Sequence, residues 1–331
     1  MTTYKAIRGL TIRTVAGDPS PLTAGDIWYN STAKKIRGAK LVAAWASGGN
    51  INQGKQLSFS IGTQTAAMAV SGYNAGPIVT AEQYDGSSWT EVADVNQGRS
   101  GVSGGAGTQT AALVAGGDQY PGDRQTGYSE TWDNTSWTAT PAINTIRKGA
   151  AMFGATNTAA IIATGDTTPS FAPTTNVESW NGSSWTETTN VNSQRVNVSG
   201  TGTSTAGMIV GGNVPSPPGN NQDLVETWDG SSWTETTDLN VARRAHGSSL
   251  SSNTSVIVFG GRTGVPETDN VGTAESWDGS AWTEVGDMST GRANVGGAGS
   301  GNTSALVWGP APTTATEEFS YAAVTSNITV S

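Results

Sequence analysis

The sequence has no cysteine and a single histidine, His246. Disulfides, thiolate chemistry, zinc fingers and any site built on paired imidazoles are thereby excluded. Charged residues make up only 13% of the 331, too few for a charged helical bundle or an acidic disordered tail. No run of about 18 apolar residues could span a bilayer. The opening MTTYKAIRGLTIRTVAG has no apolar core of a signal peptide, so synthesis in the cytoplasm without signal-led export is expected. Sequons such as Asn30-Ser31-Thr32 and Asn181-Gly182-Ser183 then read as turns. No GK[ST] follows the glycine runs, which removes the phosphate-loop reading.

What is plentiful is glycine, 44 residues, and tryptophan, 12. Many short strands joined by tight turns fit that composition. Self-similarity supplies the organisation. A tryptophan followed by similar text stands at Trp45, Trp89, Trp137, Trp185, Trp233 and Trp282. Six residues after each is an apolar side chain: Ile51, Val95, Ile143, Val191, Leu239 and Met288. Ten after each is a base: Lys55, Arg99, Arg147, Arg195, Arg243 and Arg292. A polar turn and a short apolar run closing on glycine follow, as in AALVAGG and SVIVFGG, which read as buried strands.

After a variable loop comes a glutamate two residues before an aromatic: Glu82/Tyr84, Glu130/Trp132, Glu178/Trp180, Glu226/Trp228, Glu275/Trp277 and Glu317/Phe319. In the first five, a four-residue turn, commonly DGSS, leads to the next tryptophan. Such a turn sets its flanking aromatics opposite each other across a strand pair. Each unit thus holds four strands, A near the base, B at the apolar run, C at the glutamate and aromatic, and D at the tryptophan. About 48 residues with four strands is the size of a propeller blade.

The order of base, small-residue strand, Gly-Gly, aromatic strand and tryptophan resembles the kelch repeat over residues 41 to 324, most closely in VARRAHGSSLSSNTSVIVFGGRTGVPETDNVGTAESWDGSAWTEV. The resemblance implies an all-β, six-bladed kelch-like β-propeller of four-stranded antiparallel blades, with a short N-terminal arm. The phrases SSWTEVADVNQGRSGVSGGAGTQTAALVAGG and GDIWYNSTAKKIRG also resemble kelch-like virion and tail proteins of marine bacteriophages, in which such a segment precedes host-facing domains.

Catalysis finds little purchase in this pattern. The glutamates and bases recur in every unit, as structural ion pairs do, whereas a catalytic pair is normally unique. WDGSSW is similar to the Asp-box of sialidases, S-x-D-x-G-x-x-W, but Asp229 and Gly230 are adjacent and the spacing fails. Galactose-oxidase-like kelch enzymes need two histidines and a tyrosine crosslinked to cysteine, which this chain cannot provide. No enzyme activity, no cofactor and no metal are therefore expected, with His246 a blade or turn residue.

Net charge is -9, yet residues 1 to 40 carry seven bases against two aspartates, which makes that segment +5 and the remainder -14. The expected division is an attachment arm, 1–40, and a propeller, 41–331, with blade six closed by the strand near Trp45. Lys5, Arg8, Arg13, Lys34, Lys35 and Arg37 are the candidates for docking the arm on other virion proteins. An acidic body would repel nucleic acid, and no membrane insertion is expected. The B–C loops are the least repetitive part of each unit and hold ten of the 13 prolines. They mark the candidate binding face, where Tyr73, Tyr120, Arg124, Phe171 and Arg262 are the side chains singled out, expected to be exposed. The functional expectation is a non-enzymatic virion protein, either a tail-fibre or receptor-binding head or a capsid-surface decoration, made in the host cytoplasm, whose partner is a host-surface glycan or protein. The alternative is a cellular kelch adaptor or a lectin-like carbohydrate-binding propeller.

At the chain ends, Trp45 has a D-strand signature without a C-strand aromatic before it, while Phe319 has a C-strand signature without a tryptophan after it. The two should pair and complete blade six from both ends. The rival arrangement uses AAVTSNITV as strand D, with Val324 opposite Phe319.

Overall fold

A computed structural model of the chain describes residues 12–119, 124–167, 172–214, 220–264 and 269–328, which form strands and turns without a helix. The chain divides into a large unit, Trp45–Ser320, and a small one made of Met1–Ala44 and Tyr321–Ser331.

The large unit is a β-propeller of six antiparallel four-stranded meanders, to one of which, blade three, the short segment Val102–Ser103 adds a fifth, parallel strand. Blade one shows the plan, with strand A at Phe59–Thr63, B at Ala66–Val70, C at Ala81–Tyr84 and D at Trp89–Val92. Strand A of each blade lies against strand A of the next, and the last, Gly296–Gly301, lies against Phe59–Thr63, so the ring is closed. The B strands of alanine and branched aliphatics are buried, because a central strand has neighbouring blades on both faces.

The aromatics pair as their spacing requires. Trp132 is opposite Trp137, Trp180 opposite Trp185, Trp228 opposite Trp233 and Trp277 opposite Trp282, with ring centroids 5.2 to 5.3 Å apart. Tyr84 and Trp89 repeat the pairing at 5.0 Å.

All six bases meet the strand C glutamate of the blade they enter, at 2.5 to 3.1 Å: Lys55 with Glu82, Arg99 with Glu130, Arg147 with Glu178, Arg195 with Glu226, Arg243 with Glu275 and Arg292 with Glu317. Burial pulls the pKa of Lys55, Arg99, Arg147, Arg195 and Arg243 down, and the carboxylate partner pushes back. Desolvating two charges consumes much of their attraction, so the net worth of each intact pair is small, whereas removing one partner costs about 3–5 kcal/mol.

The same glutamates fasten neighbouring blades. The side-chain amide of Asn96 donates to Glu130 and to the carbonyl of Trp137. Asn144, Asn192 and Asn240 repeat both bonds one blade further on each time. Each connection from strand D to strand A is thus tied to the blade it is about to join.

Blade six takes its strands from both chain ends. Its A and B strands are followed by a C-terminal strand, Thr316–Asn327, whose neighbour is β3, Lys35–Ser47. Within the large unit Gly48 donates to the carbonyl of Thr316, a register that sets Trp45 opposite Phe319, and their rings are 5.3 Å apart. Val324 lies on the same strand as Phe319, so the rival arrangement does not occur. The Trp45 indole also stands edge-on to Phe259 at 5.0 Å and donates to the carbonyl of Gly286. It is only partly buried, whereas the other five strand D tryptophans are 6% exposed.

The small unit is a sheet rather than a free arm, and this corrects the boundary at residue 40. β1, Arg13–Val15, runs parallel to β2, Ile27–Asn30, which pairs antiparallel with the first part of β3. The Ile328 amide donates to the carbonyl of Ile36, so the later part of the strand Thr316–Asn327 forms the fourth strand. The division falls at Ala44/Trp45 and Ser320/Tyr321, within the two long strands.

Candidate binding face

In a meander the B–C loops and D–A connections emerge at one end of the blades, and the bases described above organise that end. In blades three to six the guanidinium spans both roots of the B–C loop. Arg147 donates to the carbonyls of Thr164 and Asn176, Arg195 to Gly211 and Leu224, Arg243 to Gly260 and Thr273, and Arg292 to Gly309 and Ala315. One buried cation therefore fixes where each loop leaves and returns. Arg99 instead donates to the carbonyl of Val114 and lies over the rings of Phe59 and Tyr128, and Lys55 donates to Thr80.

Two residues beyond each base the chain adopts a positive φ, at Leu57, Gly101, Gly149, Asn197, Ala245 and Asn294. These six close a ring of backbone hydrogen bonds around the axis. The amides of Gly101, Gly149, Asn197, Ala245, Asn294 and Leu57 donate in turn to the carbonyls of Leu57, Gly101, Gly149, Asn197, Ala245 and Asn294. A left-handed residue is needed at each place to turn its amide toward one blade and its carbonyl toward the other. Glycine and asparagine tolerate that conformation, while leucine and alanine are strained by it. The ring narrows the axis to a cavity of ≈ 30 Å³, room for about two waters. The opposite mouth, between the A–B turns, is wider at ≈ 320 Å³ and is lined by Gly62, Gly105, Gly107, Gln109 and Ser251 among others.

Around this ring the scaffold repeats while the side chains do not. The residue after each strand B Gly-Gly or its equivalent is Tyr73, Asp118, Asp166, Asn213, Arg262 or Pro310. The first five bridge to the residue after the base, which is Gln56, Ser100, Lys148, Val196 or Arg244. In blades two to four the loop then forms a two-residue ladder, with Asp118 opposite Gln125, Asp166 opposite Pro173 and Asn213 opposite Asn221. The face is electrostatically divided. Lys148 bonds Asp118 at 2.8 Å and faces Asp166, whose pKa burial raises and Lys148 lowers. Blade five has Arg244 and Arg262 at these positions instead, Arg244 buried and bonded to Asn221 and Arg262 partly buried.

Of the residues expected on this face, Tyr73, Arg124 and Arg262 stand in the B–C loops of blades one, two and five; Tyr120 and Phe171 lie outside the described residues. Arg124 is exposed. Tyr73 and Arg262 are partly buried, against expectation, because each is bridged on both sides, to Gln56 and Pro77 and to Arg244 and Asn270. The three are not gathered into one pocket. Asp118, Asp166 and Asn213 were missed, although each shares with Tyr73 and Arg262 the position after the Gly-Gly. Of the docking candidates, Arg13, Lys34, Lys35 and Arg37 belong to the small unit, Arg37 pairing with Asp18; Lys5 and Arg8 lie outside the described residues.

His246 is buried at 2% exposure. Desolvation, assisted by Arg243, holds its pKa down at about 3, and its Nε2 bonds the Ser199 hydroxyl at 2.8 Å. Among the described residues, no three histidine, cysteine, aspartate or glutamate side chains are grouped to hold a metal ion. The DGSS turn at Asp85 and the DNTS turn at Asp133 are local structures, in which each aspartate accepts the hydroxyl two residues ahead and the amides two and three residues ahead, bonds that lower both pKa values to about 2.

No family model and no curated protein matches the sequence. Among solved structures the chain is similar to that of YjhT, with a TM-score of 0.66 at 14% identity over 84% of this chain and 99% of the other. At that identity the likeness is one of fold, and it supports the propeller.

Proposed function

We propose that this kelch-like propeller is a non-enzymatic binding module of a bacteriophage virion, serving as a tail-fibre head or as a capsid-surface decoration, with the face of B–C loops toward its partner. The observation that carries the binding reading is the contrast between fixed loop roots and changing side chains. Four guanidinium clamps repeat the same bonds, while the residue leaving each of those roots passes through aspartate, asparagine, arginine and proline. A rigid frame with variable loops places recognition on the loops. The ion pairs recur in every blade and the one imidazole is buried and neutral, which accords with binding rather than turnover. The virion assignment draws on the phrases that resemble those of phage proteins and on the basic charge of residues 1 to 40 against the acidic remainder of the chain.

The test is to purify particles of the phage that encodes the chain and identify their proteins by mass spectrometry. Stoichiometric presence is expected; its absence from particles alongside abundance in infected-cell lysate overturns the virion reading. On a glycan array, binding lost in Arg124→Ala and kept in Asp229→Ala identifies the loop face, and the reverse pattern refutes it.

A further inference from the structure

The small unit exposes an apolar surface with no equivalent on the large one. Of the nine exposed large hydrophobic side chains among the described residues, six belong to the small unit: Ile12, Ile27, Ile36, Leu41, Val42 and Ile328. Strand registers show that five share a face. Tyr29 is opposite Ile36 and Ile27 is opposite Gly38, which puts the odd residues of β2 beside the even residues of β3. Thr14 is opposite Tyr29, so Ile12, two residues earlier, continues onto the same side. Ile328 bonds Ile36, and its side chain lies over Gly38, where a Cβ would stand 3.3 Å from its Cδ1. Val42 follows by alternation along β3. Only Leu41 points to the other side.

Charge is sorted the opposite way. Arg13, Lys35 and Arg37 lie on the reverse face with Trp28 and Asn30, where Asp18 accepts from Trp28, Asn30 and Arg37. Lys40 is the one described charge that alternation places on the apolar side. A nearly uncharged, isoleucine-rich sheet face suits another apolar sheet face, not an acidic surface. Among its described residues the large unit offers no such patch, since the exposed Val79, Ile146 and Val241 belong to different blades.

We infer that this face packs against the same face of a second copy of the chain, forming a two-fold dimer through the small units. Four strands at about 4.8 Å spacing and about five residues in length give a patch of roughly 300 Å² per copy. The total of roughly 600 Å² is below the ~1,000 Å² of a stable interface. The dimer is accordingly weak and concentration-dependent. It would give each assembly two loop faces, so that modest contacts to a multivalent surface gain avidity. The inference does not depend on the virion reading.

Sedimentation velocity on the full chain from ~1 to ~500 μM tests it. Wild type should move from monomer toward dimer across that range. Ile36→Lys should weaken the association at least ~10-fold by burying an unpaired ammonium, while Ile146→Lys on the large unit should leave it unchanged. Circular dichroism confirms that both variants are folded, and Ile27→Lys serves in place of Ile36→Lys if that one is not. A wild type that stays monomeric to the highest concentration, or a dimer that survives the lysine at position 36 or 27, overturns the proposal. A monomer whose face becomes protected from hydrogen exchange only when a different protein is added also overturns it and assigns the face to that protein.

Discussion

Lowering the pH from 7 to 5.5 should destabilise this protein through one residue. His246 is the only histidine in the chain. In the folded state its pKa is about 3, well below the unperturbed 6.5, because the imidazole is desolvated and has Arg243 nearby. A base whose folded pKa is depressed contributes its full stability above the unfolded pKa and loses it as the pH falls, since only the unfolded chain takes up the proton. Between pH 7 and 5.5 the unfolded imidazole goes from about a quarter to about nine-tenths protonated while the folded one stays neutral, a loss of about 1.2 kcal/mol. The figure is insensitive to the folded pKa as long as that lies below ~4.5. Ordinary carboxylates titrate mostly below this window. The assay is urea unfolding at pH 7, 6.5, 6 and 5.5 for wild type and His246→Gln. The variant starts from lower stability because it disturbs the Ser199 bond, but its pH slope should be flat where the wild type falls. Equal slopes in the two proteins would refute the reasoning.

Trp45→Ala should lower stability by about 3 kcal/mol, near the low end for a large aromatic because Trp45 is only partly buried; chemical denaturation measures it, and a loss below ~0.5 kcal/mol would mean that ring closure does not depend on the indole. Glu178→Gln should cost about 3–5 kcal/mol by stranding the Arg147 guanidinium, and Arg147→Met combined with it should recover most of that loss; a double variant no better than the single one refutes the ion-pair account. In an acid titration followed by carboxylate NMR, Asp85 and Asp133 should titrate at about 2, lowered by the amides and hydroxyls of their turns. Their contribution is complete above the unfolded pKa near 4 and disappears as the pH falls through about 2. Midpoints near 4 would mean that the turns are open in solution.

The repeating architecture was legible because each recurring offset from the tryptophan corresponds to a physical contact. The five-residue step from Trp132 to Trp137 is the length of the hairpin that stacks them. The base and the glutamate of each unit form one buried pair. Even the incomplete signatures at Trp45 and Phe319 carried information, since each lacked what the other supplied. The left-handed ring was less visible, as Leu57 and Ala245 occupy positions where glycine or asparagine would have advertised the conformation, and its bonds link residues a whole blade apart. The small sheet was hidden for another reason. AAVTSNITV reads as a strand, but nothing in it points to the text around KKIRGAK, whose Gly38 meets Ser326 across 288 residues. The loop face resists reading in principle, because variability there removes the periodicity on which every other inference relied.

The guanidinium clamps across the loop roots make each of blades three to six a socket. A segment inserted between the carbonyls of Thr164 and Asn176 begins and ends at points held by Arg147 and Glu178, whatever its length or chemistry. Lengthening such a loop adds little beyond its own closure entropy, about 0.6 kcal/mol per doubling. Foreign loops that keep the contacts of Asp118 with Lys148 and of Asn221 with Arg244 should therefore leave the neighbouring blades undisturbed, and new specificities could be assembled blade by blade on an unchanged ring.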